Sequence, residues 1–323
     1  MKAGHRIAAL AIMVLADVWA GLYKPVQADE PIIVGVPHWA SAEVTAHILA
    51  ETARDRFQID ARTKQSGTLG IFKGIEAGEI DVHPEIWLPN LDLLIERYAV
   101  EAGILRMSPR GVPASQNICT TPQTQAATGL TKLADLTNPE IARQFDTNGD
   151  GLGEIWIGAP SWSSTPIERI RARSYGYDQT MELLQAPEDI AMANVDAAVA
   201  IGRPVVFYCY QPHHIFQLHD IVRLEEPEHD PARWSIKLPG DDASWLKNSR
   251  ADTAWDAAHF HIGYAARIAQ RHPDLARFLD NVSFEPDDIT AMAYAVSVER
   301  RAPRDVALQW IEDNGARIDG WMQ

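Results

Sequence analysis

Short apolar runs alternate with amphipathic helical runs through most of this chain, and that alternation limits its fold more than any other feature. The pattern is typical of an α/β protein with helices packed on a sheet, rather than of an all-helical or all-β protein. Strands are expected at 31–36, 57–63, 80–87, 155–158 and 204–210. Helices are expected at 41–56, 68–77, 91–102, 133–145, 195–202, 273–279, 287–299 and 302–314, and one more begins at 166. Ser41 is the expected N-cap of the first helix.

The first 28 residues have the composition of a secretory signal peptide. Lys2 and Arg6 precede an apolar run from Ile7 to Trp19, and the small-residue segment 26–28 (VQA) forms a cleavage site. We therefore expect cleavage after residue 28 and export to the periplasm. No cysteine stands at that cleavage site, so a lipid anchor is not expected.

The rest of the 323-residue chain is long enough for two lobes. The chain is expected to cross to the second lobe near 105–120 and to return within 255–267. The predicted first lobe is therefore 29–115 with 259–323, and the predicted second lobe is 116–258. The formal net charge of −15 argues against nucleic acid or an anionic membrane as a partner.

Aromatic residues stand at the ends of four expected strands. Trp39 and Trp87 follow two strands of the first lobe, Trp162 follows one of the second, and Tyr208 and Tyr210 end another. In open α/β sheets, ligands bind beyond the carboxyl ends of the strands. A quaternary ammonium has no N–H to donate, so a protein holds it by ring faces, carboxylates and shape. Each ring alone is more typical of a core, but together they indicate an aromatic cage.

A carboxylate accompanies these rings. His83, Glu85 and Trp87 are expected to share one face of their strand because strand side chains alternate. Glu85 would then face the cationic head of a ligand in the cage. The alternative is that Glu85 is a solvent-facing strand residue.

The segment 158–173 (GAPSWSSTPIERIRAR) places an exposed-looking Trp162 just before a helix start. Thr165 is the expected N-cap, with Pro166 at the first helical position and Glu168 completing a capping box. The unpaired amides of a first helical turn can hold an anion, which places an anion site at Ser163 and Ser164. The alternative is a buried core tryptophan before an ordinary helix.

The segment 146–154 (DTNGDGLGE) resembles the first part of a calcium-binding loop, in which hard oxygen ligands stand at alternate positions. The last ligand position of such a loop, normally a glutamate, is Ile157 here, so a structural Ca²⁺ and a turn without metal both stay open. The expected ligands are Asp146, Asn148, Asp150, the carbonyl of Leu152, and Glu154.

Two other kinds of chemistry can be considered. Cys119 and Cys209 are the only cysteines, and in an oxidising compartment they could form one disulfide. Ser163 or Ser164 at a helix start resembles an activated nucleophile, so a secreted calcium-stabilised serine hydrolase is an alternative of a different class. A zinc site is not expected, because the histidine spacings match no familiar zinc pattern at His213, His214 and His219 or at His259 and His261.

Several segments resemble the periplasmic glycine betaine/proline betaine-binding proteins of ABC importers. They are FDTNGDG with the tryptophan-bearing turn after it, IWLP upstream, FYCYQP downstream, RHPDLARFL and the closing DGW. The resemblance implies an α/β two-lobed periplasmic binding protein of the type II substrate-binding fold, with a hinge and a ligand cleft between the lobes. It also implies no catalysis, a monomer, and delivery of ligand to an ABC permease in the inner membrane.

Carried over by position, the resemblance makes Trp87, Trp162 and Tyr210 walls of the cage, and the amides of Ser163 and Ser164 its carboxylate site. Tyr210 stands where such a receptor has a third tryptophan, and Leu91 stands where it has a histidine. Glycine betaine or proline betaine is the first expectation. Trimethylamine N-oxide, choline and other methylated amines stay open, because Glu85 suits a ligand with less negative charge.

Overall fold

The computed structural model describes residues 30–323, which form a mixed sheet covered by helices. The predicted signal peptide lies outside these residues. The strands are β1 Ile32–Val36, β2 Ala61–Gln65, β3 Val82–Leu88, β4 Leu105–Met107, β5 Val112–Thr120, β6 Gly153–Trp156, β7 Met181–Leu184, β8 Phe207–Gln211, β9 Val222–Arg223, β10 Trp234–Ser235, β11 Arg250–Ala251 and β12 Ala258–Ala265. The α-helices are α1 Ala40–Phe57, α2 Thr68–Ala77, α3 Asp92–Ile95, α4 Pro122–Thr128, α5 Pro139–Ala142, α6 Ser164–Tyr175, α7 Glu188–Ala200, α8 Ile215–Leu218, α9 Trp245–Asn248, α10 Ile268–Arg271, α11 Pro273–Asn281, α12 Pro286–Ser297, α13 Pro303–Asp313 and α14 Gly315–Trp321.

Ten strands belong to one sheet, in the order β2-β1-β3-β12-β5-β8-β6-β7, with β4 beside β12 and β9 beside β5. The pairs β1–β2, β1–β3, β6–β7 and β6–β8 are parallel, whereas β5 and β12 pair antiparallel with their neighbours. We call β1 to β4 with β12 the first half of the sheet, and β6 to β9 the second half. Each half is built on parallel strands, so each gathers strand ends at one edge.

Strand β5 joins the two halves. Its residues 112–114 pair with β12, and its residues 115–119 pair with β8. A single strand therefore carries the chain from the first half into the second. The lobe limits expected from the sequence stay a prediction. Within residues 30–323, no helix has the length and apolarity needed to cross a membrane.

Some helix boundaries differ from those expected. The predicted helix 133–145 is a 3₁₀ turn, the short α5 and a second 3₁₀ turn, because Pro139 starts a new helical segment capped by the Asn138 side chain. The predicted helix 91–102 is α3 followed by a π-helix over Glu96–Glu101. Ser41 is not the cap of α1, since Trp39 holds that position and Ser41 lies buried in the first turn.

Strand β3 contains one residue more than the facing segment of β12. Ile86 pairs with His261 and His83 pairs with Gly263, so three steps along β3 lie opposite two steps along β12. Pro84 lies within this irregular segment and has no N–H to donate to a ladder. The segment is a β-bulge, which bends a strand and re-aims the side chains after it.

The bulge changes which side chains share a face. The His83 ring packs against Phe72 of α2, with ring centroids 5.5 Å apart. Glu85 instead lies against α1, where the Thr45 hydroxyl donates to it at 3.3 Å. The prediction that His83, Glu85 and Trp87 share one face is therefore wrong for His83, because strict alternation does not continue through the extra residue.

Candidate functional site

Four aromatic rings form a box where the two halves of the sheet meet. Trp39 and Trp87 come from the first half, and Trp162 and Tyr210 come from the second. Neighbouring rings stand nearly perpendicular at three corners: 83° and 6.2 Å between the centroids of Trp39 and Trp162, 82° and 5.7 Å for Trp162 and Tyr210, and 83° and 5.3 Å for Trp87 and Tyr210. The walls therefore enclose one common space.

That space is a cavity of about 390 Å³, part of it open to solvent. The eight residues that the sequence predicts as ligand contacts all line it, although their role in binding stays a prediction. They are Trp39, Glu85, Trp87, Trp162, Ser163, Ser164, Tyr208 and Tyr210, and they are joined by Thr68, Asn90, Leu91 and Gln116. Sequence reasoning did not select Thr68, Asn90 or Gln116 because no periodicity or motif marks them.

Glu85 occupies the fourth corner, between Trp39 and Trp87. One carboxylate oxygen, Oε2, accepts hydrogen bonds from Trp39 Nε1 at 2.7 Å, Trp87 Nε1 at 3.2 Å and Ser41 Oγ at 3.2 Å. The other oxygen, Oε1, accepts from Thr45 Oγ1 at 3.3 Å. This residue is fully buried, so it is not the solvent-facing strand residue of the alternative interpretation. By accepting from both indole N–H groups, Glu85 holds the rings of Trp39 and Trp87 in place.

The charge of Glu85 has no cationic partner among these four contacts. Burial raises the pKa of its carboxyl group to about 7, and the hydrogen bonds from Trp39, Trp87, Ser41 and Thr45 act in the opposite direction. Near neutral pH the group is therefore partly ionised and buried, a state that costs free energy unless an opposite charge approaches.

The walls are held from behind by further contacts. Trp87 is stacked on Phe260, with centroids 5.1 Å apart and 29° between the planes. The Tyr210 hydroxyl donates a short hydrogen bond to the buried carboxylate of Glu188, which also contacts His213 Nε2 at 3.2 Å. Because each ring is supported by its neighbours, the box is largely preformed.

Trp162 is placed by a tight turn after β6. Gly158 has φ of 120°, a conformation that side chains other than glycine rarely adopt, and an added Cβ there would lie 2.5 Å from Thr165 Oγ1. The Trp162 amide donates to the carbonyl of Ala159, and its ring Nε1 donates to the carbonyl of His38 at 3.4 Å, across to the first half. Trp162 is only 8% exposed, so its description as exposed-looking is wrong.

Helix α6 begins differently from the expected capping box. Ser163 is the N-cap and Ser164 the first helical residue, while the Thr165 hydroxyl donates to the carbonyl of Ala159 at 2.6 Å. Glu168 accepts from Trp255 Nε1 and pairs with Arg171 instead of turning back to the helix start. The first-turn amides still have no partner within the helix, so a ligand oxygen can be placed beside Ser163 and Ser164.

Asn90, Gln116 and Tyr208 form a hydrogen-bonded cluster of neutral polar side chains in the cavity lining. Gln116 Oε1 accepts from Asn90 Nδ2 at 2.8 Å and from the Tyr208 hydroxyl at 2.7 Å, and Gln116 Nε2 donates to Asn90 Oδ1 at 2.7 Å. Each amide nitrogen has two N–H groups, so this cluster can still donate to a ligand. The cluster can therefore hold the polar tail of a small molecule.

The loop from Asp146 to Glu154 is closed by its own hydrogen bonds. Asp146 accepts from the amides of Gly149 and Gly151, Asp150 accepts from the amide of Leu152, and Glu154 accepts from the amides of Thr147 and Asn148. Among the described residues, no group of three or more His, Cys, Asp or Glu side chains is arranged to hold a metal. A Ca²⁺ ion would have to draw these carboxylates to one centre, and its presence stays a prediction.

Cys119 and Cys209 are joined by a disulfide, with Cα atoms 5.8 Å apart. It links β5 to β8, and Cys209 lies between the two tyrosines of the cavity. The sequence left this pairing open.

The candidate zinc histidines are not gathered into a site. His213 makes an edge-to-face contact with Tyr210 at 4.7 Å between centroids and a tilted contact with His214 at 4.2 Å, while His219 contacts Asp196. His259 and His261 lie 5.0 Å apart on β12. Their contacts are with the protein's own rings and polar groups.

Comparisons with known proteins agree with this fold. The family model described as the substrate binding domain of ABC-type glycine betaine transport system matches residues 30–313. The glycine betaine/proline betaine-binding periplasmic protein of Salmonella typhimurium is 23% identical over 265 residues, 78% of this chain and 77% of that protein. The trimethylamine N-oxide-binding protein of Pelagibacter ubique is 22% identical over 95% of both chains.

Two solved structures share the fold. An ABC-transporter choline-binding protein in complex with choline has a TM-score of 0.70 at 18% identity, covering 90% of this chain and 91% of that chain. Lactococcal OpuAC, closed and complexed with glycine betaine, has a TM-score of 0.69 at 16% identity, covering 91% and 100%. These structural neighbours have the two-lobed substrate-binding fold, with a ligand cleft between the lobes.

Proposed function

Since the chain belongs to the family of substrate-binding domains of ABC-type glycine betaine transport systems, we propose that its aromatic box receives the ammonium head of a small methylated amine for import. The observation that carries the proposal is the convergence of Trp39, Trp87, Trp162 and Tyr210 on one cavity from both halves of the sheet. Four ring faces and a buried carboxylate suit a permanently charged nitrogen that cannot donate a hydrogen bond.

The protein works as a receptor in the periplasm and delivers its ligand to an ABC permease in the inner membrane. Three of the similar proteins are described as periplasmic binding proteins, which supports this location, and the family model's description as part of an ABC-type transport system supports this partner. Rings from both halves of the sheet face the ligand, so the ligand stabilises the arrangement in which the halves are close together.

A serine hydrolase remains the alternative of a different class, and it would require a base beside Ser163 or Ser164. Ser164 is a hydrogen-bond partner of Tyr208, whose pKa is raised far above its ordinary value chiefly by burial. Histidine is absent from the described residues that line the cavity. The family assignment is to transport, so binding without turnover is the function that we propose.

Isothermal titration calorimetry against glycine betaine, proline betaine, choline, carnitine and trimethylamine N-oxide tests the proposal. We expect saturable binding of at least one methylated amine, without chemical change of the ligand. A desolvated cation–π contact contributes about 2 kcal/mol, so Trp87→Ala or Trp162→Ala should weaken binding by about thirtyfold or more.

Trp245→Ala is the matched control. Trp245 lies on α9, does not line the cavity and contacts Arg169, so its loss should leave affinity unchanged. Wild-type protein that binds none of the five compounds, or cavity variants that bind as tightly as the control, would disprove the proposed cage.

A further inference from the structure

The cavity has an unbalanced charge. Glu85 is the one acidic side chain among the described residues that line it, and no lysine, arginine or histidine lines it. All four hydrogen-bond donors to Glu85 are neutral groups of Trp39, Trp87, Ser41 and Thr45. Neutral donors orient a carboxylate but do not cancel its charge, so the ligand-free cavity carries an unpaired negative charge whenever Glu85 is ionised.

The start of α6 offsets only part of this charge. A helix N-terminus carries roughly half a positive elementary charge, spread over the unpaired amides of its first turn. Ser163 and Ser164 bring that end of α6 into the cavity. The neutral polar cluster of Asn90, Gln116 and Tyr208 adds no charge to the cavity lining. A ligand carboxylate would find donors there but no opposite full charge.

We propose that Glu85 makes the box selective for methylated ammonium compounds of net positive charge with an uncharged polar tail, such as a hydroxyl, over zwitterions that carry their own carboxylate. The inference rests on the proposed function, because it names the class of ligand for the same cavity. It also shifts the first expectation from glycine betaine toward a choline-like compound.

Two physical reasons support this preference. A net cation supplies the opposite charge that the buried Glu85 lacks, and so removes the cost of an unpaired buried charge. A zwitterion brings the same positive head together with a negative group, so the cavity gains a second carboxylate without a compensating cation. Since Glu85 is fully buried, the difference is larger than it would be in bulk solvent.

Glu85→Gln removes the charge while retaining the shape of the corner. The amide oxygen of glutamine can occupy the position of Oε2 and accept from Trp39, Trp87 and Ser41. Its amide nitrogen then takes the position of Oε1 and donates to the Thr45 hydroxyl, which rotates to accept. The two tryptophans can therefore keep their positions in the variant.

The test measures Kd for choline and for glycine betaine by calorimetry at pH 8, where a carboxyl group with a pKa of about 7 is mostly ionised. Wild-type protein should bind choline more tightly than glycine betaine. Close buried charge pairs couple strongly, so Glu85→Gln should raise the Kd of choline at least about tenfold and that of glycine betaine less than about threefold.

Thr45→Val is the control for a purely structural role. It removes one hydrogen bond to Glu85 without changing the charge, so both ligands should be affected alike and the choline-to-betaine ratio should stay within about twofold of wild type. Equal weakening of both ligands in Glu85→Gln, no weakening of choline, or tighter wild-type binding of glycine betaine would each overturn the inference. If the wild-type protein binds neither ligand nor any other methylated amine, the proposed function fails as well.

Discussion

Replacing Glu85 by glutamine also tests, without any ligand, what the buried charge costs the fold. Burial raises the pKa of this carboxyl group from 4.5 to about 7. The folded protein therefore holds the proton more tightly than the unfolded chain does, and the free energy of unfolding falls as pH rises from 4.5 to 7. At about 1.4 kcal/mol for each pKa unit, the full cost above pH 7 is roughly 3 kcal/mol.

We expect Glu85→Gln to be more stable than wild type at pH 8, with a difference that is about 2 kcal/mol smaller at pH 5. The difference between the two proteins is the informative quantity, because His83 acts in the opposite direction. Its pKa is lowered to about 3 by burial, so its effect reduces stability as pH falls below 6.5. His83 is present in both proteins, and its contribution cancels.

The assay is equilibrium urea unfolding of ligand-free protein, followed by far-ultraviolet circular dichroism at pH 5, 6, 7 and 8. Circular dichroism is preferred to fluorescence because Trp39 and Trp87 contact the altered side chain directly. A stability difference that does not change with pH would refute the reasoning. So would a variant that is less stable than wild type at pH 8 and equal to it at pH 5.

Two further predictions concern the covalent and metal-dependent parts of the structure. The disulfide closes a loop with a sequence separation of 90, so reduction or Cys119→Ala with Cys209→Ala should lower the free energy of unfolding by about 2 to 5 kcal/mol. Guanidinium unfolding with and without reductant measures this, and equal midpoints would contradict it. If the 146–154 loop binds calcium, Ca²⁺ at a hundredfold excess over its Kd should stabilise the protein by about 2.7 kcal/mol. Thermal unfolding in Ca²⁺ and in chelator should then differ for wild type and not for Asp146→Asn, whereas no difference for wild type would show that the loop is a turn without metal.

The gathering of the rings could be predicted from the sequence because it follows from topology. Parallel strands bring their carboxyl ends to one edge, so Trp39 after β1 and Trp87 near the end of β3 were expected together. The same reasoning applies to Trp162 after β6 and to the tyrosines on β8. Nothing in the sequence specifies the right angles between neighbouring walls, because those angles depend on the packing of the two halves.

The role of Glu85 could be predicted only in part. Its place beside Trp87 followed from the strand, but its four donors include Ser41 and Thr45 on α1, more than thirty residues away in the chain. The sequence suggested Ser41 as a helix cap, since serine is common there. The Ser41 hydroxyl instead donates to the Glu85 carboxylate. Helix-capping propensity is a local property and does not predict such a tertiary contact.

The sequence did not predict the neutral polar cluster of the cavity, for a related reason. Asn90 and Gln116 hydrogen-bond each other across 26 positions, and Gln116 stands in β5, the strand that joins the halves. A polar residue inside a strand gives no periodic signal that separates a buried amide from an exposed one. The pair could have been found only by relating β5 to the turn after β3, which carries Asn90.

The bulge in β3 places His83 and Glu85, which are only two positions apart, on different sides of the sheet. In a regular strand, residues two positions apart point to the same side, so His83 would lie on the side of the buried carboxylate of Glu85. The bulge instead turns the His83 ring against Phe72 of α2 and leaves Glu85 with four neutral donors. The unpaired negative charge of the cavity therefore depends on a backbone irregularity as well as on the residues that line it, and a comparison of the lining residues alone would not reveal this dependence.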